Sequence, residues 1–307
     1  MPPPRRRIVS LLPSATEIVA ALGMLDQLVG RSHECDFPPE VQSLPICCRP
    51  RIDVSKPGAE IDRQVKDSLR AGISIYEVDT ELLRELRPDL ILTQTQCDVC
   101  AVTPQDLEAA LTQGDNSPSV IDLHPLGLEQ LFGDIHVVAI ASHRPELGHN
   151  LVVDLRGGFE SLRFKTSKLR RKPTVVCVEW FAPLMTAGNW IPELVELAGG
   201  QNLGAEPGQH SPWFDWDQLV ALNPEFLVLM PCGWDIARAR AESSALTSDP
   251  RWTQLSAVRA GKVFVTDGHQ FFNRPGPRLL ESTQILAEIL HPEACDFGHQ
   301  GRHWEAL

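Results

Sequence analysis

The stretch Glu81-Leu-Leu-Arg-Glu-Leu-Arg-Pro88-Asp-Leu-Ile-Leu-Thr93-Gln94 returns in the second half of the chain as Asp217-Gln-Leu-Val-Ala-Leu-Asn-Pro224-Glu-Phe-Leu-Val-Leu-Met230-Pro231. In each copy a short amphipathic helix is predicted to end before the proline, because the residue before a proline disfavours helical backbone. The apolar run that follows is typical of a parallel strand covered on both faces. The repeat therefore predicts two equivalent α/β halves with a ligand-binding cleft between them.

Composition limits the possible functions. The chain has 307 residues, 43% of them hydrophobic, and a formal net charge of −12. Such an acidic chain is a poor match for nucleic acid, because binding to phosphates requires a basic surface. No segment approaches the roughly 20 apolar residues that a membrane-spanning helix needs. The expected partners are small molecules or proteins, and the composition predicts neither nucleic-acid binding nor a membrane span.

The pattern of apolar runs predicts three regions: an N-terminal α/β lobe over residues 1–142, a connecting helix over 143–172 and a C-terminal α/β lobe over 173–307. The first lobe is expected to open with a strand over Ile8–Leu12. The next helix is expected to be capped by Ser14 and Glu17, which have the spacing of a capping box. The glycine pair Gly157–Gly158 argues against an uninterrupted connecting helix, because glycine lowers helix propensity.

The cysteines provide one candidate site. Cys97 and Cys100 have the spacing that lets two thiolates bind one metal ion or form a redox pair. Cys35 and the pair Cys47–Cys48 are expected in other loops of the same lobe, where their sulfurs can converge with the first two. This arrangement is a candidate Zn²⁺ or iron–sulfur site. The competing interpretation is that these are buried thiols without a metal.

The start of the chain bears on location. Arg5-Arg-Arg7 followed by an apolar run resembles a secretory signal, but Pro13, Thr16 and Glu17 interrupt the apolar region. We therefore interpret this run as the first strand of the fold, which predicts a cytoplasmic protein with reduced cysteines. A leader preceding the native chain would make the location periplasmic instead.

Five motifs together carry a family resemblance. They are Ser10-Leu-Leu-Pro13-Ser14-Ala-Thr-Glu17, the run Ser32–Pro39, Arg87-Pro-Asp-Leu90, Thr186-Ala-Gly188 with Glu196–Asn202, and the loop Asp267–Pro277. In this order they resemble the cobalamin-binding members of the cluster A (class III) substrate-binding proteins of ABC importers, over nearly the whole chain. The resemblance implies two Rossmann-like lobes joined by one long helix, an ABC permease as partner, and a corrinoid held between the lobes without catalysis.

Ligands of open α/β sheets collect beyond the carboxyl ends of the strands, and the candidate ligand-binding residues follow predicted strands or lie in the motifs above. They are Pro13, Ser14, Ser32, His33, Gln94, Gln96, Glu179, Trp180, Trp190, Trp213, Trp234, His269, Phe271, Asn273 and Arg274. Aromatic rings offer a large contact surface for a flat macrocycle. An arginine can pair with carboxylate or amide groups of a tetrapyrrole-like ligand. The competing interpretation of the tryptophans and of Arg274 is packing and a salt-bridged turn.

Three functions from different classes follow from these residues. The first is a binding protein for cobalamin or a related corrinoid or tetrapyrrole, acting as a carrier or as a component of an importer. The second is a metal or iron–sulfur protein that uses the cysteines. The third is a tetrapyrrole metal chelatase with Glu179 and His269 as acid and base. Binding is favoured over catalysis, because the sequence contains no nucleophile elbow, phosphate loop or Ser/His/Asp order.

Overall fold

The computed structural model of the protein describes residues 5–94, 102, 107 and 118–307. These residues form a mixed α/β fold with two separate sheets. The chain divides into two compact units. The first unit contains the described residues within 1–56, 63–125 and 129–154, and the second contains those within 57–62, 126–128 and 155–307.

Among the described residues, the strands in chain order are β1 (Ile8–Ser10), β2 (Leu28–Ser32), β3 (Ile46–Pro50), β4 (Tyr76–Val78), β5 (Leu90–Gln94), β6 (Ser119–Leu123), β7 (Thr174–Phe181), β8 (Leu184–Thr186), β9 (Gln201–Asn202), β10 (Phe226–Leu229), β11 (Val263–Thr266) and β12 (Trp304–Ala306). The α-helices are α1 (Pro13–Ala21), α2 (Gly58–Arg70), α3 (Thr80–Leu86), α4 (Leu128–Ala141), α5 (Pro145–Thr166), α6 (Ile191–Leu197), α7 (Trp216–Leu222), α8 (Ile236–Glu242), α9 (Ser244–Thr247), α10 (Ser256–Arg259) and α11 (Leu279–Leu290). Short 3₁₀ helices cover Leu25–Gln27, Pro39–Ser43 and Trp252–Gln254.

The sheet of the first unit has the strand order β4-β3-β2-β1-β5-β6. All neighbouring strands run parallel except β3 and β4. The central strands β1 and β5 are fully buried, as expected of parallel strands covered by helices. Because the strands from β1 to β3 and β5 to β6 share one direction, their carboxyl ends lie along one edge of this sheet.

The sheet of the second unit has the order β12-β11-β10-β7-β8, with β9 paired to β7. Strands β7, β10 and β11 run parallel, and the flanking strands β8 and β12 run antiparallel to their neighbours. The carboxyl ends of β7, β10 and β11 therefore also share one edge. The two sheets confirm the prediction of two α/β halves.

The repeated stretch folds in the same way in both units. Helices α3 and α7 each begin after an aspartate whose side chain accepts a backbone hydrogen bond, Asp79 from the amide of Leu82 and Asp215 from that of Gln218. Each helix ends in a residue with left-handed backbone conformation. These residues are Arg87, with φ 42°, and its equivalent Asn223, with φ 39°. The residue before each proline is therefore outside the right-handed helical region, as predicted. Its backbone is left-handed and not extended, so the chain turns sharply there.

The predicted cap of the first helix is wrong. Helix α1 begins two residues earlier than this cap implies, at Pro13, and its N-cap residue Leu12 makes no side-chain cap hydrogen bond. Ser14 and Glu17 are both buried inside the helix. The spacing of a capping box matched by chance, because proline at the first helical position decided where the helix starts. A complete capping box is instead formed in α7, by Asp215 and Gln218.

The loop predicted around Cys47 and Cys48 is also wrong, because these residues lie within strand β3. Cys48 pairs with Ser32 of β2 on one side and with Val78 of β4 on the other. Both cysteines are buried, at 0% and 2% exposure. The thiols behave here as small apolar side chains of a core strand.

The predicted long helix is present as α5, and the boundary between the units falls inside it, after Asp154. It runs through Gly157 and Gly158 without interruption. A Cβ atom on Gly158 would lie 2.5 Å from the Leu280 side chain, so the glycine allows α5 and α11 to approach closely. Among the described residues, no helix has the length and apolar character needed to cross a membrane.

The aspartate caps of the repeat provide a test of its equivalence. We expect Asp79→Ala and Asp215→Ala each to lower the free energy of unfolding by about 1 kcal/mol, because each leaves amide groups of the first helical turn without an acceptor. Urea unfolding followed by circular dichroism measures this change. Asp→Asn at the same positions is the matched control and should cost much less, since asparagine also caps; equal losses for Ala and Asn would contradict the capping role.

Candidate functional site

Five predicted ligand residues lie along the carboxyl edge of the first sheet. Pro13 and Ser14 begin α1 directly after β1, Ser32 ends β2 with His33 following it, and Gln94 ends β5. Strand β1 pairs with both β2 and β5, so the structure brings these residues to one edge. Ser14, Ser32 and Gln94 are buried, whereas Pro13 and His33 are partly exposed.

A cluster of hydroxyl groups surrounds the sulfur of Cys35 at this edge. The Thr16 Oγ1 lies 3.0 Å from the Cys35 Sγ and 2.8 Å from the Ser10 Oγ, and the Ser32 Oγ lies 3.2 Å from the same sulfur. All four side chains are buried. The cluster joins β1, α1 and the loop after β2, which fixes the position of the loop that carries His33.

Arg31 also holds this loop, and sequence reasoning missed it. Its buried guanidinium donates hydrogen bonds to the backbone carbonyls of Ser32, Cys35 and Gln42, at 3.0 to 3.1 Å. The neighbouring His33 Nε2 lies 3.8 Å from the Glu34 carboxylate. Burial lowers the pKa of His33 despite the opposing effect of Glu34, so its imidazole is neutral at neutral pH.

The predicted metal site gains no support from the described residues. Among them, no three His, Cys, Asp or Glu side chains form a group that could hold a metal ion. Burial within strand β3 raises the pKa of Cys47 and of Cys48 to about 12, so both thiols are protonated at neutral pH. Of the other three cysteines of the prediction, Cys35 lies in the hydroxyl cluster, and Cys97 and Cys100 lie outside the described residues, as does Gln96.

A pair of tryptophans lies at the carboxyl edge of the second sheet. Trp180 is near the end of β7, and Trp234 follows β10. Their ring centroids are 5.0 Å apart at an interplanar angle of 46°. Phe181 meets the Trp234 ring edge-on at 5.5 Å, and the Arg238 guanidinium lies 4.8 Å from the centre of the same ring. Trp234 is buried and supports Trp180, which is partly exposed.

Gly58, at the start of α2, packs against this tryptophan pair. A Cβ atom at this position would lie 2.8 Å from the Trp234 ring and 3.4 Å from Trp180. Only a residue without a side chain fits at this distance. The sequence carries no signal for this contact, because α2 was not predicted and a single glycine has many possible roles.

Glu179, next to Trp180, anchors a surface loop. Its Oε2 accepts a hydrogen bond from the Ser211 hydroxyl at 2.8 Å, and the Ser211 Oγ accepts one from the Gly188 amide at 3.0 Å. A Cβ atom on Gly188 would lie 2.6 Å from the Gln209 carbonyl oxygen, so the close approach of the loop requires a glycine. The loop carries Trp213, which is 52% exposed.

The loop after β11 is held by its own polar side chains. The Asn273 Nδ2 donates to the carbonyls of Met230 and Gly268, at 3.1 and 2.9 Å. The buried Arg274 lies 3.2 Å from the His269 Nε2. These contacts bring His269, Asn273 and Arg274 to the same edge of the second sheet as the tryptophan pair.

Two of the predicted ligand residues lie inside the second unit. Trp190 is 6% exposed and donates its indole hydrogen to the carbonyl of Phe272 at 2.7 Å. Phe271 is 3% exposed, and the Arg278 guanidinium lies 4.5 Å from the centre of its ring. Both side chains are buried against the loop after β11 and stabilise its conformation.

A family model described as periplasmic binding protein matches residues 8–269. The chain belongs to the periplasmic binding protein family. This periplasmic binding protein is 23% identical to the vitamin B12-binding protein of Vibrio cholerae serotype O1 over 302 residues, which cover 94% of this chain and 90% of the relative. It is 24% identical to the ABC transporter substrate-binding lipoprotein YvrC of Bacillus subtilis (strain 168), covering 94% of this chain and 81% of the relative.

A solved structure, the periplasmic heme-binding protein RhuT from Roseiflexus sp. RS-1 in its apo form, superposes on this periplasmic binding protein with a TM-score of 0.71. The sequence identity is 20%, and the match covers 95% of this chain and 100% of the other, so this likeness concerns the fold.

The resemblance to class III substrate-binding proteins of ABC importers is confirmed. The family consists of binding proteins and not enzymes, which sets aside the chelatase interpretation. The cytoplasmic prediction gains no support, because one relative is a lipoprotein and the family is periplasmic.

The close packing of Gly268 leads to a stability test. A Cβ atom there would overlap the backbone carbonyl of Pro231, which cannot move away as a flexible side chain could. We expect Gly268→Ala to cost about 1–3 kcal/mol of unfolding free energy. Gly133→Ala, in the open middle of α4, is the control and should stabilise the protein by about 0.5–1 kcal/mol. Thermal unfolding measures both; a neutral Gly268→Ala would contradict the packing.

The burial of the thiols leads to a labelling test. At pH 8 we expect iodoacetamide to modify the exposed Cys232 in the native protein but to spare Cys47 and Cys48. A thiol with a pKa of about 12 holds roughly 10³-fold less thiolate at this pH than an ordinary thiol. Peptide mass spectrometry measures the labelling, with urea-unfolded protein as the control in which all three react. Rapid native labelling of Cys47 or Cys48 would show that strand β3 is not buried as described.

Proposed function

We propose that this protein binds cobalamin or a related corrinoid and delivers it to an ABC permease outside the cytoplasm. The family membership supports a binding role, and a vitamin B12-binding protein is among the similar curated proteins. The substrate-binding lipoprotein of Bacillus subtilis supports the permease as partner and the location.

The observation that carries the proposal is the tryptophan pair at the carboxyl edge of the second sheet. Trp180 is partly exposed and rests on the buried ring of Trp234, which restricts its movement. A rigid indole held in this way offers a flat apolar surface at a low entropic cost. A large macrocycle is the type of ligand that benefits most from such a surface.

Two charged groups at the same sheet edge as the tryptophan pair bear on the choice of ligand. The Glu179 carboxylate can only accept hydrogen bonds, and the Arg274 guanidinium can only donate them. The amide side chains of a corrinoid both donate and accept, so they can satisfy either group. The propionates of heme can only accept when they are ionised, and they would be repelled by Glu179. Glu179 therefore favours a corrinoid over heme, whereas Arg274 suits either ligand.

The first unit has polar candidate residues of its own. Ser14, Ser32, His33 and Gln94 share one sheet edge, and their hydroxyl, imidazole and amide groups match the polar rim of the same class of ligand. The fixed loop that carries His33 holds a neutral imidazole at neutral pH. Such an imidazole can bind the cobalt of a corrinoid, because metal binding requires the unprotonated ring nitrogen.

Replacement of Trp180 tests the function. We expect Trp180→Leu to weaken the binding of cyanocobalamin about tenfold or more, since loss of one stacking ring costs about 1–3 kcal/mol. Trp216→Leu is the matched control, because Trp216 is also partly exposed but begins α7, before β10. Isothermal titration at pH 7.5 with cyanocobalamin and, separately, with hemin measures the affinities.

The outcomes of this titration separate the ligands. The proposal holds if cyanocobalamin binds more tightly than hemin and if only Trp180→Leu weakens it. It fails if hemin is the tighter ligand, if cyanocobalamin does not bind, or if the two variants bind cyanocobalamin equally well.

A further inference from the structure

The C-terminal segment 297–304 is tied to the buried carboxylate of Glu288 in α11. The Trp304 indole donates to the Glu288 Oε2 at 2.8 Å, the His299 amide donates to the carboxylate at 3.2 Å, and the Phe297 amide donates to Oε1. Burial disfavours the charged carboxylate, but these hydrogen bonds hold the pKa of Glu288 below its usual value. The carboxylate is therefore the anchor of this segment.

Within the segment, the rings of two histidines are hydrogen-bonded to each other. The Nδ1 atoms of His299 and His303 are 2.9 Å apart, so one of them must carry a hydrogen and the other must not. The His299 Nε2 lies 3.3 Å from the Gln284 Oε1, an acceptor, which places a hydrogen on that nitrogen. A neutral His299 then accepts at Nδ1, and His303 donates.

His303 also touches the loop Asp267–Pro277 that carries the candidate ligand residues. Its carbonyl accepts a hydrogen bond from the Asp267 amide at 3.0 Å, and its ring lies 4.6 Å from that of Phe271. Strand β12, which follows His303, pairs with β11, which leads into the loop. The segment therefore contacts the loop through the backbone and the ring of His303.

The charges that face the histidine pair come from three elements. Glu288 of α11 faces His299, and Glu281 of α11 and Asp267 of the loop face His303. Arg302, within the segment, faces both histidines. Burial lowers the pKa of each histidine, and the neighbouring His299 and Arg302 lower that of His303 further.

We propose that His303 is a positioning residue for the ligand loop, and that the His299–His303 pair makes the position of this loop sensitive to protonation. The proposal rests on the proposed function only where it concerns ligand affinity. One proton from solvent leaves the bond intact, because the doubly protonated His303 still donates to His299. A second proton removes the only acceptor and places two N–H groups and two positive charges opposite each other. The pair then separates, and the loop loses its support.

The sign of the pH effect follows from the lowered pKa values. A histidine whose pKa is lowered in the closed arrangement takes up its proton more readily once the arrangement has opened. The stability of the closed arrangement is therefore complete above the usual histidine pKa, about 6.5, and is lost at lower pH, when the pair takes up its second proton. Ligand affinity is expected to fall over the same range.

The ligand-free protein tests the bond between the histidines. Histidine-ring NMR of the full chain between pH 7.5 and 5.0 should show His299 and His303 titrating in two linked steps. The amide signals of Asp267 and Phe271 should move with the second step. Independent titrations, or loop signals that do not respond, would overturn the proposal whatever ligand the protein binds.

Cyanocobalamin titration tests the effect on the loop. We expect the wild-type affinity to fall between pH 7.5 and 5.0, because the open arrangement takes up the second proton more readily. His303→Asn keeps a donor near Nδ1 but cannot become charged, so its affinity should change less than about twofold over the same range. His299→Gln, a second uncharged variant, should show the same flat profile.

His149→Asn, at an exposed position of α5, is the control and should keep the wild-type profile. A wild-type pH dependence in both His303→Asn and His299→Gln would overturn the proposal. If cyanocobalamin binds at neither pH, the proposed function fails, and the NMR titration alone decides whether the pair supports the loop.

Discussion

The parallel pairing of buried strands is the constraint on which the rest of this structure depends. A buried strand must place all its backbone donors and acceptors in hydrogen bonds, so β1 requires β2 and β5, and β7 requires β10. Parallel pairing then brings the carboxyl ends of these strands to one edge of each sheet. Residues far apart in sequence, such as Trp180 and Trp234, become neighbours for this reason alone.

Close backbone packing gives the edge of the second sheet its shape. Gly188 and Gly268 each lie against backbone carbonyls, where no side chain fits, and they fix the loops that carry Ser211 and His269. Buried polar groups complete the arrangement, because each needs a partner once it is removed from water. The Glu179–Ser211 and Trp190–Phe272 hydrogen bonds meet this requirement.

The cysteines show how burial overrides composition. Their number and spacing indicated metal chemistry, but Cys47 and Cys48 lie in a core strand where charged thiolates are unfavourable. Cys35 is surrounded by hydroxyl groups and serves to fix a loop. A sequence pattern lists the reactive groups but does not show which of them water reaches.

The sequence by itself determined the two α/β halves, helix α3, helix α11 and the family, because apolar periodicity, prolines and ordered motifs are local signals. It also placed Trp234 and the loop after β11 correctly beyond strand ends, but Trp180, expected just past its strand, lies within β7 because that strand continues to Phe181. Only the tertiary structure decided that Gly58 packs on the tryptophan pair, that Arg31 holds the loop after β2, and that His303 contacts the loop after β11. Each of these contacts joins residues distant in sequence, and their geometry arises only when strands pair and helices pack.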